Sequence, residues 1–180
     1  PEVRKKINEI LHYPEDSAGS IMTIEYVDLK KTMTVDEAFS RIRATGVDKE
    51  TIYTCYVTNH DRKLEGLVTV RELLLSPKTA IIGEIMQTHV IAASTLDDKE
   101  KVANQLQKYD FLALPVVDQE YRLVGIVTFD DAMDVLQEEN TEDIEMMAAI
   151  TPTGKPYLKT STTELWKKRV PWLLLLMVSA

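Results

Sequence analysis

The sequence is poor in most of what marks a secreted or a catalytic protein. A single cysteine, Cys55, excludes an internal disulfide and a cysteine-rich zinc site, and fits a reducing compartment. Six glycines are too few and too scattered for a phosphate-cradling loop, and neither GxGxxG nor a Walker pattern occurs. The three histidines, His12, His60 and His89, sit in separate segments without metal-ligand or triad spacing. No nucleophile stands beside a base and its orienting partner, so nothing suggests an enzyme. Basic residues are in deficit: 21 Lys+Arg against 29 Asp+Glu give a net charge of −8, which argues against a nucleic-acid partner. No apolar run reaches the roughly 20 residues of a bilayer span.

What the 180 residues do contain is enough apolar side chain, 44%, to bury a core in one or two small domains. The charge is uneven. Residues 118–145 carry ten acidic side chains and one basic one, Arg122, a net of −9. Residues 146–180 carry a net of +4. There, Lys167-Lys168-Arg169 stands ahead of Trp172 and the leucines 173–176, which reads as the cytoplasmic flank and opening turns of a membrane helix. At the other end, Val3, Ile7, Ile10 and Leu11 share one side of a helix that reads as a linker. The expectation is a segment of a longer protein, closing just inside its first membrane helix.

An internal repeat sets the architecture. Ser20-Ile21-Met22-Thr23 matches Glu84-Ile85-Met86-Gln87, 64 residues on. Leu64-Glu65-Gly66-Leu67-Val68-Thr69 matches Leu123-Val124-Gly125-Ile126-Val127-Thr128, 59 residues on. The five-residue difference fits an insertion near Gly46–Glu50 of the first copy. Each copy reads as a lead-in segment, a helix, a strand, a turn, and a second strand running into a helix. Val35, Ala38, Phe39 and Ile42 form the buried face of the first helix, which Thr34-x-x-Glu37 caps as a capping box. Such short strands imply an α/β fold in which the two copies pack on each other.

The Ile-Met pairs, Leu114-Pro115-Val116-Val117-Asp118 and the repeated Gly-h-h-Thr-x-x-acid junction (h, hydrophobic) resemble a tandem CBS-domain module. Tyr13-Pro14-Glu15-Asp16-Ser17-Ala18-Gly19, Tyr109-Asp110-Phe111 and Thr141-Glu142-Asp143-Ile144 narrow the likeness to the cytosolic region of MgtE-type magnesium channels. That resemblance implies a linker helix over 1–15, CBS domains over 16–78 and 79–139 (two β-α-β-β-α repeats), a connecting or plug helix region over 140–169, and a truncated membrane helix over 170–180. It further implies a homodimer on the cytoplasmic side of a multi-pass membrane protein, serving its own pore domain and closing it when Mg²⁺ is high.

The carboxylates of 118–145 are hard oxygen donors with no Cys or His cluster near them to favour a softer metal. Asp131, Asp134 and Glu138 share one helix face, where like charges repel mildly unless a cation intervenes. Mg²⁺ keeps most of its waters, so one or two carboxylates make a site. Carried over by motif, the resemblance implies Asp118, Glu120 and Asp130 as metal ligands, with the backbone carbonyls of Gly19 and Val127 behind them. It also implies an adenine nucleotide, ATP or AMP, in the cleft between copies. Val90 and Ala92 then face the base, while Thr128 and Asp131 take the ribose; copy one offers Thr69 and the longer Glu72. The competing reading is a nucleotide-sensing CBS module on another membrane transporter, with the acidic strip merely solvated. In one respect the sequence departs from the family: Thr151–Pro156 has no carboxylate, and only Glu164 follows.

Overall fold

The computed structural model describes residues 13–147 and residue 170. The linker helix up to residue 12, the connector beyond Met147 and the membrane run therefore lie outside the described residues. Among those described, no helix is long and apolar enough to cross a membrane. The chain forms one compact unit up to Ala132 and a second from Met133 onward.

Each copy builds one three-stranded sheet. In the first, a short helix α1 (Ala18–Ile21) precedes β1 (Val27–Leu29), helix α2 (Val35–Thr45), β2 (Thr54–Thr58), β3 (Leu64–Thr69) and helix α3 (Val70–Leu75). The second repeats the order with α4 (Ile82–Ile85), β4 (Ala93–Ser94), α5 (Lys99–Tyr109), β5 (Ala113–Val117), β6 (Leu123–Thr128) and α6 (Phe129–Met147). β1 pairs with β2 in parallel and β2 with β3 antiparallel; β4, β5 and β6 do the same. The five extra residues of copy one fall between α2 and β2, where the chain makes a three-residue 3₁₀ turn, Gly46–Asp48.

The predicted capping box is present: Thr34 Oγ1 accepts from the Glu37 N–H at 3.3 Å, and Glu37 Oε2 accepts from the Thr34 N–H at 2.8 Å. Val35, Ala38 and Ile42 are buried, and Phe39 packs against the same core. Strand β2 is buried on both faces, which its alternation makes possible. Cys55 and Val57 face the helices of copy one, while Tyr56 faces the sister copy among Leu64, Ala113, Val117, Leu123 and Ile126.

The lead-in segments are exchanged. Helix α1 lies against β4, α5 and β6 of copy two, with Ala18 N–H donating to Asp97 O at 2.7 Å and Gly19 N–H to Thr95 O at 3.0 Å. Helix α4 in turn completes copy one: Ile82, fully buried in its core, donates to Met33 O, and Gly83 donates to Lys31 O, both at 2.9 Å. Thr23 then pairs with Ile126 of β6, and Gln87 with Leu67 of β3. Lys63 pairs with Arg122, its own counterpart in the repeat, so a local two-fold axis runs through that bridge.

Candidate ion and nucleotide sites

The structure gathers the candidate residues at the two ends of β6. Asp118 and Glu120 lie in the β5–β6 turn, whereas Thr128, Asp130 and Asp131 stand where the strand enters α6. Six strand residues at about 3.3 Å each set these ends roughly 20 Å apart, so one body does not bring Asp118 and Asp130 to one ion. Among the described residues, no three His, Cys, Asp or Glu side chains converge as a metal cluster. Among the described residues, carboxylates come together at most in pairs.

Asp118 is first of all a turn former. Its Oδ1 accepts from the backbone N–H groups of Glu120 (3.0 Å) and Arg122 (2.9 Å), and its Oδ2 from Arg122 Nε at 2.7 Å. The same guanidinium pairs with Glu120. Partial burial works to raise the Asp118 pKa, but the Arg122 and Glu120 N–H groups and the guanidinium outweigh it and hold the group below the ordinary Asp value. Oxygen donors of this kind suit a small hard cation. In this structure a guanidinium is their partner.

At the other end of β6 the Thr128 hydroxyl donates to Asp131 Oδ2 at 2.6 Å. Hydrogen bonding to Thr128, with the amides at the start of α6, holds Asp130 below the ordinary Asp value despite some burial. Val127 is buried and pairs with Leu114, and Gly19 is buried in α1, which lies against β6. The corresponding acid of copy one, Glu72, is tied up: it accepts from the Thr69 N–H (2.7 Å), the Thr69 hydroxyl (2.9 Å) and Gln87 Nε2 (2.8 Å). Its junction is a second capping box, for α3.

Val90 and Ala92 pack at the margin of the cluster between the copies. Ala93 pairs with Val116 in the parallel register and Val90 and Ala92 lie just ahead of it in the chain, while Thr128 pairs with Ala113 across β5 and β6. β4 pairs only beyond Pro115, which has no N–H to give its neighbour.

Two participants escaped the sequence reading. Tyr56 is fully buried against this cluster, and its hydroxyl has no hydrogen-bond partner among the described residues. An aromatic at the centre of a short strand, between Cys55 and Val57, was its signal. Arg122 was the other, visible as the one basic residue of the acidic segment.

The CBS-domain model matches residues 18–77 and 82–138. The magnesium transporter MgtE of Thermus thermophilus is 40% identical over 179 residues, 99% of this chain and 40% of that relative. MgtE of Bacillus subtilis is 38% identical over 177 residues, 96% of this chain and 38% of its own length. A crystal structure of the cytosolic domain of the Mg²⁺ channel MgtE in complex with ATP superposes with a TM-score of 0.73 at 42% identity, covering 75% of this chain and 54% of that one. The chain thus spans about two-fifths of the curated relatives' length.

Proposed function

Because the chain belongs to the CBS-domain family, in which its strong matches are MgtE magnesium transporters, we propose that it is the cytosolic Mg²⁺-sensing module of a Mg²⁺-selective channel, working as a homodimer and closing the pore when intracellular Mg²⁺ is high. The observation that carries this reading is the extent of the likeness. It covers 99% of the chain, and so runs past the CBS pair and through α6, where eight carboxylates occur in 19 residues without one Lys or Arg. Two unit charges about 4 Å apart repel by about 1 kcal/mol in bulk water, and more where water is partly excluded. Where two such surfaces meet in a dimer, Mg²⁺ between them offsets the repulsion. When the ion leaves, the carboxylates push the module toward its loose form, a population shift set by differential ion affinity. Asp118, Glu120 and Asp130 are the ligands this reading assigns, with the carbonyls of Gly19 and Val127.

Limited proteolysis across a Mg²⁺ titration tests it, with NaCl at matched ionic strength to remove screening. Saturable protection of residues 140–165 by Mg²⁺ alone is the expected outcome, and Asp118→Asn with Asp130→Asn should weaken it. Protection that ignores Mg²⁺ but follows ATP or AMP supports the second reading, a nucleotide sensor. The ATP held by the similar MgtE cytosolic domain favours nucleotide as a further ligand.

A further inference from the structure

We propose that Arg122 is a tethered counter-cation that competes with the divalent ion for Asp118 and Glu120, so that Mg²⁺ binds there by displacing the guanidinium. The inference rests on the Mg²⁺-site reading above and adds what sets that site's affinity. Three observations carry it. Arg122 engages both carboxylates at once, Asp118 through Nε at 2.7 Å and Glu120 through a terminal nitrogen. Asp118 Oδ1 is already committed to two backbone N–H groups, so Oδ2, which Arg122 holds, is the oxygen left for an ion. The sister turn shows that the Asp118 charge is not needed for the fold: Asn59 caps it in the same way, accepting from the N–H groups of Asp61 (2.8 Å) and Lys63 (2.9 Å) with a neutral amide. The bond from the cation to the capping side chain is thus an addition of copy two to a turn that folds without it.

The exchange is feasible at this place. The Arg122 side chain is 47% exposed and Glu120's 62%, so the guanidinium swings into water without opening the core. A guanidinium offers directional N–H donors and one positive charge, whereas Mg²⁺ offers two charges and demands oxygen at short range. A guanidinium that spans both carboxylates repels a divalent ion and fills the space in front of Oδ2, so the two compete for it. Under low Mg²⁺ the arginine offsets one of the turn's two negative charges, and under high Mg²⁺ it is released. This ties the occupancy of the turn to ion concentration without a change in the turn's own backbone.

The test is MgCl₂ calorimetry at fixed ionic strength on the full chain, comparing Arg122→Gln with the unsubstituted protein. Lys63→Gln serves as control, since it removes the same charge from the two-fold-related position, where the turn carries Asn59. Arg122→Gln should tighten Mg²⁺ binding by roughly three- to tenfold, the scale of two exposed ion pairs. Lys63→Gln should change it by less than twofold, and Asp118→Asn added to Arg122→Gln should erase the gain. In the unsubstituted chain, the Arg122 Nε–H resonance should lose its exchange protection as Mg²⁺ is added. Equal or weaker binding by Arg122→Gln, or an equal gain from Lys63→Gln, overturns the competition while leaving the ion site standing. An isotherm indifferent to Asp118→Asn overturns the ion site itself, and the competition with it.

Discussion

At the scale of single residues, the repeat provides its own controls. Asn59 and Asp118 do the same hydrogen-bonding work in equivalent turns, so Asp118→Asn should fold with little loss. What it should change is the acid limb of stability. Asp118 is held below its ordinary value of 3.8 when folded. A depressed carboxylate contributes stability that is complete above the unfolded value and lost as pH falls through the folded one. Urea unfolding should therefore show the native protein losing stability below about pH 4 more steeply than Asp118→Asn, with the two curves parallel near neutrality. Identical acid limbs would mean that the Arg122 contact leaves no trace on folding. Cys55 illustrates the opposite case: burial pushes its thiol up to about 12, so it stays protonated and acts as a small core hydrophobe.

At the scale of elements, what was legible in the sequence was what is local. The face of α2, its Thr34–Glu37 box and the strand–turn–strand order follow from periods of 3.6 and 2 and from capping chemistry within a few residues. The Thr69–Glu72 box obeys the same local rule, yet it lay inside a motif that the family resemblance turned toward ribose. The exchange of lead-in segments was not legible, because its partners lie more than a hundred residues apart in the case of Thr23 and Ile126. Its trace was the glycine in each repeated strand. A Cβ on Gly125 would stand 2.8 Å from Thr23 O and 2.7 Å from Met22 Sδ; one on Gly66 would stand 2.7 Å from Gln87 O and 2.9 Å from Met86 Sδ. The Ile-Met pairs are thus the covers of these glycines, and a backbone carbonyl on each side cannot retreat without breaking its pairing. Gly125→Ala and Gly66→Ala should each cost about 1–3 kcal/mol, the range of an overpacked core, despite the gain in strand propensity. Gly46→Ala, which meets side-chain methyls of Ile52 at 3.0 Å and Ile42 at 3.7 Å and no backbone, should cost less in the same thermal melts. Equal effects at all three sites would mean that the lead-in strands yield freely.

At the scale of the whole molecule, the reciprocal exchange makes the two copies a single cooperative body rather than two domains on a string. Cut at the repeat boundary, residues 13–78 keep β1–β3 and lose α4, and with it Ile82 from the core and the bonds to Met33 and Lys31. Emptying a buried Ile site costs about 2–5 kcal/mol, a large share of the stability of so small a body. The half would also expose Tyr56 and Leu64, and leave α1 without the strands and helix it covers. Residues 79–147 suffer the mirror-image loss, since Thr23 no longer pairs with Ile126 and α1 no longer covers β4. Neither half, therefore, should fold alone. Circular dichroism should show each as largely unfolded, while an equimolar mixture regains the helical signal in a concentration-dependent way. The intact chain should melt in one transition with coincident far- and near-ultraviolet probes. A half that folds by itself, or two separated transitions in the intact chain, would show that the exchange is a docking contact between independent domains. In that case the Asp118 turn and the Asp130 junction, the two ends of β6, would be linked through copy two alone. If the body melts as one, both ends stand in a cooperative unit that includes copy one, which is the condition for ion occupancy in copy two to bias the whole module.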